Sequence, residues 1–351
     1  MAQSVAGAPA LRHEDNAQGR PSMPPQERRN GQRHTYGAID LGTNNCRLLI
    51  ARPTGPSFTV VDAFSRVVRL GEGLSQSGRL SDEAMDRTAA ALAVCAEKLR
   101  RRNVSLSRAV ATEACRRAVN GRQFVERVRR ETGIALDIIA PHEEARLAVL
   151  GCHKVLQPGD GPALIFDIGG GSTELVLIDH VDGVPKIRSW WSAPWGVVSL
   201  TESESLRAKD SEERLAAYAR MRARARESFS RFAETLPNTS DDIRLLGTSG
   251  TVTTLASVHL ALPSYDRRAV DGLHVPTEAM QKISSMIAGM TFEERANLPC
   301  IGRDRADLVV AGCAILEAIL EIWPAPSLGV ADRGIREGIL RSLMARDGYL
   351  L

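Results

Sequence analysis

One supersecondary unit is written twice in this chain, and that repetition constrains its fold more than any other feature. In YGAIDLGTNNCRLLI (36–50) an apolar run ends at Asp40, a turn holds Gly42, Thr43 and Asn44, and a second apolar run follows from Cys46. In ALIFDIGGGSTELVLI (163–178) the run ends at Asp167, the turn holds Gly169, Gly170, Gly171, Ser172 and Thr173, and the next run starts at Leu175. Each reads as strand, tight glycine turn, strand. Glycines in such turns allow positive φ and let backbone N–H groups approach an anion, while an aspartate at a strand end can hold a metal ion directly or through water. One such turn is more often structural than functional. Two of them, about a domain's length apart, predict two related domains facing each other.

The length of 351 residues accommodates two domains, each with its own core. A formal charge of +3 is too small to imply a nucleic-acid partner. The clusters Arg100–Arg102 and Arg127, Arg129, Arg130 read as solvated helix faces. The six cysteines show no metal-ligand spacing and read as reduced, mostly buried thiols. No apolar segment is long enough to span a membrane and the N-terminus lacks a secretory core, so a cytoplasmic location is expected.

Along the chain, Met1 to about Thr35 is rich in Arg, Gln, Pro and Gly without apolar periodicity and is expected to be disordered. Domains are expected over 36–160 and 161–351. Strands and helices alternate through both: a helix from about Asp82 capped by Ser81, a short strand ending at Thr112, and a helix opened by Pro141 and His142. GVVSLTE (196–202) reads as a strand end, and LLGTSGT (245–251) as a strand entering a helix. The fold class is α/β.

Phosphoanhydride hydrolysis needs oriented N–H donors, a divalent cation, cationic side chains and a carboxylate that orients water. The two turns supply donors, and Asp40, Asp167 and Glu174 are candidate cation-holding carboxylates. Gly247, Thr248, Ser249 and Gly250 form either a third phosphate-binding turn or a plain helix entry. Of Glu143 and Glu144, adjacent on a helix, at most one faces a cleft; both also suit the helix N-terminus. Thr112 and Arg116 are equally open between structure and function.

These segments, with VRLGEGLSQSGRL, ATEACRRAVN, EEARLAVLG, GVVSLTE, RADLVVAG and GIREGIL in that order, resemble the exopolyphosphatase and guanosine pentaphosphate phosphohydrolase (Ppx/GppA) family from about Tyr36 to Leu343. The resemblance implies two ribonuclease H-like domains of the actin, sugar kinase and Hsp70 ATPase superfamily with an interdomain cleft. It implies Mg2+-dependent release of terminal orthophosphate, with inorganic polyphosphate as substrate or, alternatively, pppGpp. A catalytically weak polyphosphate- or nucleotide-binding sensor and an ATP-dependent kinase are the readings from other classes. Glu144 maps onto the family's proposed base and Arg116 onto a phosphate contact, while the two hairpins map onto phosphate and metal positions. A homodimer without nucleic-acid or membrane partners is expected. Cys46 and Arg47 stand where Ser-Phe or Ser-Ile is common, a change read as one of packing, and Ser199 stands where arginine is frequent. Larger members continue into a helical HD-type domain, which is not expected here after GIREGIL.

Overall fold

The structure is a computed structural model that describes residues 34–156, 159, 161–181, 184–204, 210–236 and 243–349. The segment expected to be disordered lies outside them except at its end, where Thr35 is buried and its Oγ1 accepts a hydrogen bond from Arg52 (3.0 Å).

The first half runs β1 (Tyr36–Leu41), β2 (Asn45–Thr54), β3 (Ser57–Val67), α1 (Leu74–Ser77), α2 (Asp82–Arg101) and β4 (Leu106–Ala111). It continues through α3 (Glu113–Arg117), α4 (Gly121–Thr132), β5 (Leu136–Ile138) and α5 (Pro141–Cys152). Its sheet has the order β3-β2-β1-β4-β5, the first three strands antiparallel and the last two joined in parallel. The second half runs β6 (Pro162–Ile168), β7 (Thr173–Val181), β8 (Val184–Ala193), α6 (Val197–Glu202), α7 (Ser211–Ala233), β9 (Arg244–Thr248) and α8 (Gly250–His259). It closes with α9 (Arg267–Val270), β10 (His274–Pro276), α10 (Thr277–Gly289), α11 (Phe292–Ala296), α12 (Val309–Ile322), β11 (Ser327–Ala331) and α13 (Ile335–Arg346). Its sheet, β10-β11-β9-β6-β7-β8, sets the antiparallel β6–β7–β8 meander beside the parallel strands β9 and β11. The glycine hairpin thus occupies the same place in both sheets, as the repetition predicts.

Local chemistry accounts for several boundaries. Ser81 accepts from Ala84 N–H (3.2 Å) and caps α2, whose first turn carries Asp82 and Glu83 and whose last carries Lys98, Arg100 and Arg101. Pro141 opens α5, where its missing N–H costs nothing. GVVSLTE is helix α6 rather than a strand end: carbonyls of the second glycine turn, Gly169 and Gly170, accept from Val197 N–H (2.9 Å) and Val198 N–H (2.7 Å) and organise its first turn. A short apolar run does not reveal that period by itself.

Two helices exchange places between the halves. On the first sheet α13 places Ile339, Leu340 and Met344 against Tyr36, Ala38 and Val110, while on the second sheet α5 places Ala145, Val149 and Cys152 against Ile165, Val176 and Leu246. The two helices cross where neither tolerates a side chain. A Cβ on Gly151 would sit 2.0 Å from Gly334 O, and one on Gly338 would sit 2.0 Å from Leu147 O. Outer layers complete each half, α2 and α4 on the first sheet and α7, α10 and α12 on the second. No helix among the described residues is long and apolar enough to cross a membrane.

Candidate active site

The two glycine turns meet face to face. Gly42 N–H donates to Asn45 O (2.9 Å) and closes the first; Gly169 N–H donates to Ser172 O (2.9 Å) and closes the second. A Cβ on Gly170 would lie 2.9 Å from Thr43 Cβ and 3.1 Å from Asn44 N, and one on Gly171 would lie 2.8 Å from Thr43 Oγ1. Close approach is therefore what requires glycine here. None of Gly42, Gly169, Gly170 and Gly171 has the positive φ that the sequence reading allowed them.

Between the hairpins lies a cavity of about 130 Å³. Its walls gather most of the residues singled out in the sequence: Asp40, Gly42, Thr43 and Asn44; Asp167, Gly169, Gly170, Gly171, Ser172 and Glu174; Ser249 and Gly250; and Glu144. The N–H groups of Thr43, Asn44, Gly170 and Gly171 make no hydrogen bond within the described residues, and neither does the buried Asn44 Oδ1. Four candidates stand elsewhere. Thr173 is buried and its hydroxyl donates to Trp195 O (2.6 Å), and Gly247 lies inside β9 under Phe166. Thr248 donates to Arg333 O (2.6 Å) and faces a neighbouring cavity. Arg116 stands behind the wall.

Arg116 is spent on carboxylates. Its Nη2 donates to Glu113 (2.7 Å), and its Nη1 donates to Ile139 O (2.7 Å) and to Glu144 Oε2 (3.1 Å). It therefore positions Glu144 rather than reaching into the cavity. The Glu143–Glu144 ambiguity resolves by direction. Glu143 turns outward to Arg146 (2.7 Å) and Arg108 (2.8 Å), whose hydrogen bonds hold its carboxyl down at about 2. Glu144 turns inward and is 6% exposed; burial, reinforced by the charge of Glu174, raises its carboxyl well above the ordinary range, with Arg116 opposing.

The other carboxylates share that strain. Burial, with Glu174 and Asp40 adding repulsion and Arg47 only partly offsetting it, pushes Asp167 up to about 8. Burial also raises Asp40 against Arg47, and raises Glu174 despite hydrogen bonds to its Oε1 from Ser172 and Ser192 (2.8 Å each). Among the described residues no three His, Cys, Asp or Glu side chains converge tightly enough to form a metal-binding group. The candidates Asp40, from the first hairpin, and Asp167 and Glu174, from the second, are thus separate carboxylates of the cavity wall rather than a cage. Such a wall still fits Mg2+, which takes one or two carboxylates and completes its shell with water and substrate phosphate. Crowded, underneutralised carboxylates are what a divalent cation relieves.

Arg47, Glu113 and Arg305 are among the wall residues that the sequence reading missed. Arg47, read as a packing change, lies directly across the β1–β2 pair from Asp40 and lines the cavity. Its signal was the two-residue alternation along β2, which puts Asn45 and Arg47 on one face. Glu113, next to Thr112, was passed over, and Arg305, remote in sequence, gave no local sign. Ser249 was foreseen, but not its backbone: φ is +143° and ψ 170°, a region that is otherwise nearly confined to glycine and costs about 1–3 kcal/mol. That strain sits where α8 begins, at the cavity wall.

Fold and cavity together define a class: two α/β domains whose repeated glycine hairpins enclose unpaired N–H groups and buried carboxylates. The chain belongs to the Ppx/GppA phosphatase family, whose model matches residues 49–347. It is 33% identical over 325 residues to Exopolyphosphatase 2 of Mycobacterium tuberculosis, which covers 87% of this chain and 97% of that protein. A guanosine-5'-triphosphate,3'-diphosphate pyrophosphatase of Aeromonas hydrophila is 28% identical over 318 residues, 89% of this chain but 60% of the longer relative. Among solved structures, the Aquifex aeolicus member of the family is 30% identical with a TM-score of 0.73, covering 90% of this chain and 99% of its own.

Proposed function

We infer that the chain is an exopolyphosphatase, a phosphoanhydride hydrolase that removes terminal orthophosphate from inorganic polyphosphate with the help of Mg2+. The observation that carries this reading is the convergence, on one cavity, of unpaired N–H groups from two facing hairpins with the inward carboxylate of Glu144. The N–H groups of Thr43, Asn44, Gly170 and Gly171 bind and orient the terminal phosphate. Glu144 takes the proton of a water positioned for in-line attack, its raised affinity for protons bringing it closer to the neutral optimum of a general base. Arg116 fixes the orientation of that carboxylate through its 3.1 Å bond. Asp40 and Asp167, with Glu174 nearby, would hold the cation, which supplies charge neutralisation on the phosphate oxygens.

The name of the Aeromonas relative favours pppGpp as a second substrate. Domains 36–160 and 161–351 with exchanged closing helices, a cytoplasmic location and a homodimer belong to the same proposal. Phosphate release measured on polyphosphate, pppGpp and ATP with and without Mg2+ tests it. Cation-dependent release from polyphosphate is expected, and release from none of the three overturns the reading. Glu144→Gln should lower kcat by about 10²–10⁴-fold with substrate binding retained, and near-normal turnover would remove Glu144 from its role as base.

A further inference from the structure

Glu113 puts a carboxylate on the wall of a cavity that is to hold phosphate, and its place there is fixed by the chain around it. Strand β4 lies parallel to β1 with Ala111 beside Leu41, and Thr112 N–H donates to Leu41 O (3.1 Å) before the chain turns into α3. Glu113 is the first residue of that helix and so emerges beside the first hairpin. The second hairpin closes over its stem: a Cβ on Gly171 would lie 2.9 Å from Glu113 Cγ and 3.3 Å from Glu113 Cβ. Three residues further along α3, Arg116 donates to one oxygen, Glu113 Oε2, from both Nη2 (2.7 Å) and Nε (3.2 Å). Of this pair the acid lines the cavity and the cation does not.

Resting on the exopolyphosphatase reading, we propose that Glu113 is a positioning residue: it clamps Nε and Nη2 of Arg116 so that Nη1 is held on Glu144, and it thereby withholds a cation from the substrate. An ion pair of this spacing on an open helix face contributes little. Here the two side chains are only 20% and 19% exposed, inside the protein wall. The guanidinium is a rigid planar fork. With its Nε–Nη2 edge on Glu113, its Nη1 corner is directed to Ile139 O (2.7 Å) and Glu144 Oε2 (3.1 Å). Without Glu113 only that corner would be held, and rotation of the Arg116 side chain would carry Nη2 towards the phosphate. Glu144 would lose the orientation that in-line attack requires, where a misplacement of about 1 Å can cost 10²-fold in rate. The wall would also lose a negative charge and gain access to a positive one, so phosphate would bind more tightly. Removing the charge of Glu113 thus improves binding while it harms turnover, a combination that loss of packing does not produce.

The test measures kcat and KM for polyphosphate at saturating Mg2+ in single and paired variants of the full-length protein, with thermal melting to report folding. Glu113→Gln should lower kcat about tenfold and lower KM about threefold. Glu113→Asp, which keeps the charge, should hold KM within about twofold of the unsubstituted protein and recover part of kcat. In an Arg116→Gln background, Glu113→Gln should change kcat by less than about twofold, because the acid acts through the guanidinium. An unchanged kcat in Glu113→Gln, a raised KM, or the same tenfold loss with Arg116 already replaced would overturn the positioning role while leaving the exopolyphosphatase reading standing. A Glu113→Gln protein that does not fold would make the residue one of packing and would overturn the role likewise. Absence of phosphate release from polyphosphate by the unsubstituted protein would overturn that reading, and the positioning role with it.

Discussion

The two hairpins hold the same position in their sheets and differ in what stands across the strand from each aspartate. In β1–β2, Asp40 pairs with Arg47; in β6–β7, Asp167 pairs with Glu174. The first hairpin is therefore close to neutral at its tip and the second carries two acids. The effect appears in proton affinity: Arg47 opposes the rise at Asp40, whereas Glu174 adds to it at Asp167, which reaches about 8. One supersecondary unit, used twice, sets its strand-end aspartate against an arginine in one copy and against a second carboxylate in the other.

That contrast is open to direct attack. The largest expected difference is in cation dependence. Asp167→Asn should raise the Mg2+ concentration for half-maximal phosphate release by about 10–100-fold, and Asp40→Asn by less. Equal shifts from the two variants would erase the distinction between the hairpins. Next is packing between the hairpins. A methyl at Gly170 meets Thr43 and the Asn44 backbone, so Gly170→Ala should cost about 1–3 kcal/mol in urea unfolding. Gly42→Ala, whose Cβ would be an ordinary 3.6 Å from Asn45 O, should stay within about 0.5 kcal/mol.

The smallest effect is in stability against pH. The folded-state value of Asp167 lies above its unfolded value near 3.9, so its contribution is fully present below about pH 4 and is lost as pH rises towards about 8. In cation-free buffer Asp167→Asn should therefore melt about 2–4 °C above the unsubstituted protein at pH 8, the shift that one kcal/mol produces, and show no such gain at pH 4. Asp40→Asn should gain less, since Arg47 already offsets the charge. A gain at low pH instead would reverse the assignment.

How far the sequence carries can be judged at particular residues. Both hairpins were legible because an aspartate ending an apolar run and followed by glycine is a local signal, and antiparallel pairing around a short turn brings Asp167 opposite Glu174. Glu144 was not separable from Glu143 by residue type; only the resemblance named it. The reason is directional: the pair projects from the first turn of α5, and which member faces inward depends on how α5 lies across the second sheet. Arg47 was written in the alternation of β2 and went unread. Arg305 and the exchange of α5 with α13 were not legible at all, since both depend on contacts between segments far apart in the chain. The strained backbone at Ser249 left no compositional trace, because the residue that usually marks such a conformation, glycine, sits one position later.

The exchange of helices has a bearing on how the protein comes into being. Synthesis delivers β1 to β5 first, yet the face of that sheet bearing Tyr36, Ala38 and Val110, which also meets Leu147 and Ala148 of α5, is covered fully only when Ile339 and Met344 arrive from α13. A product stalled on the ribosome before residue 335 would carry both glycine hairpins and Glu144, with α5 lacking the helix it crosses. The core on that face of the first sheet is therefore completed only once α13 has been made.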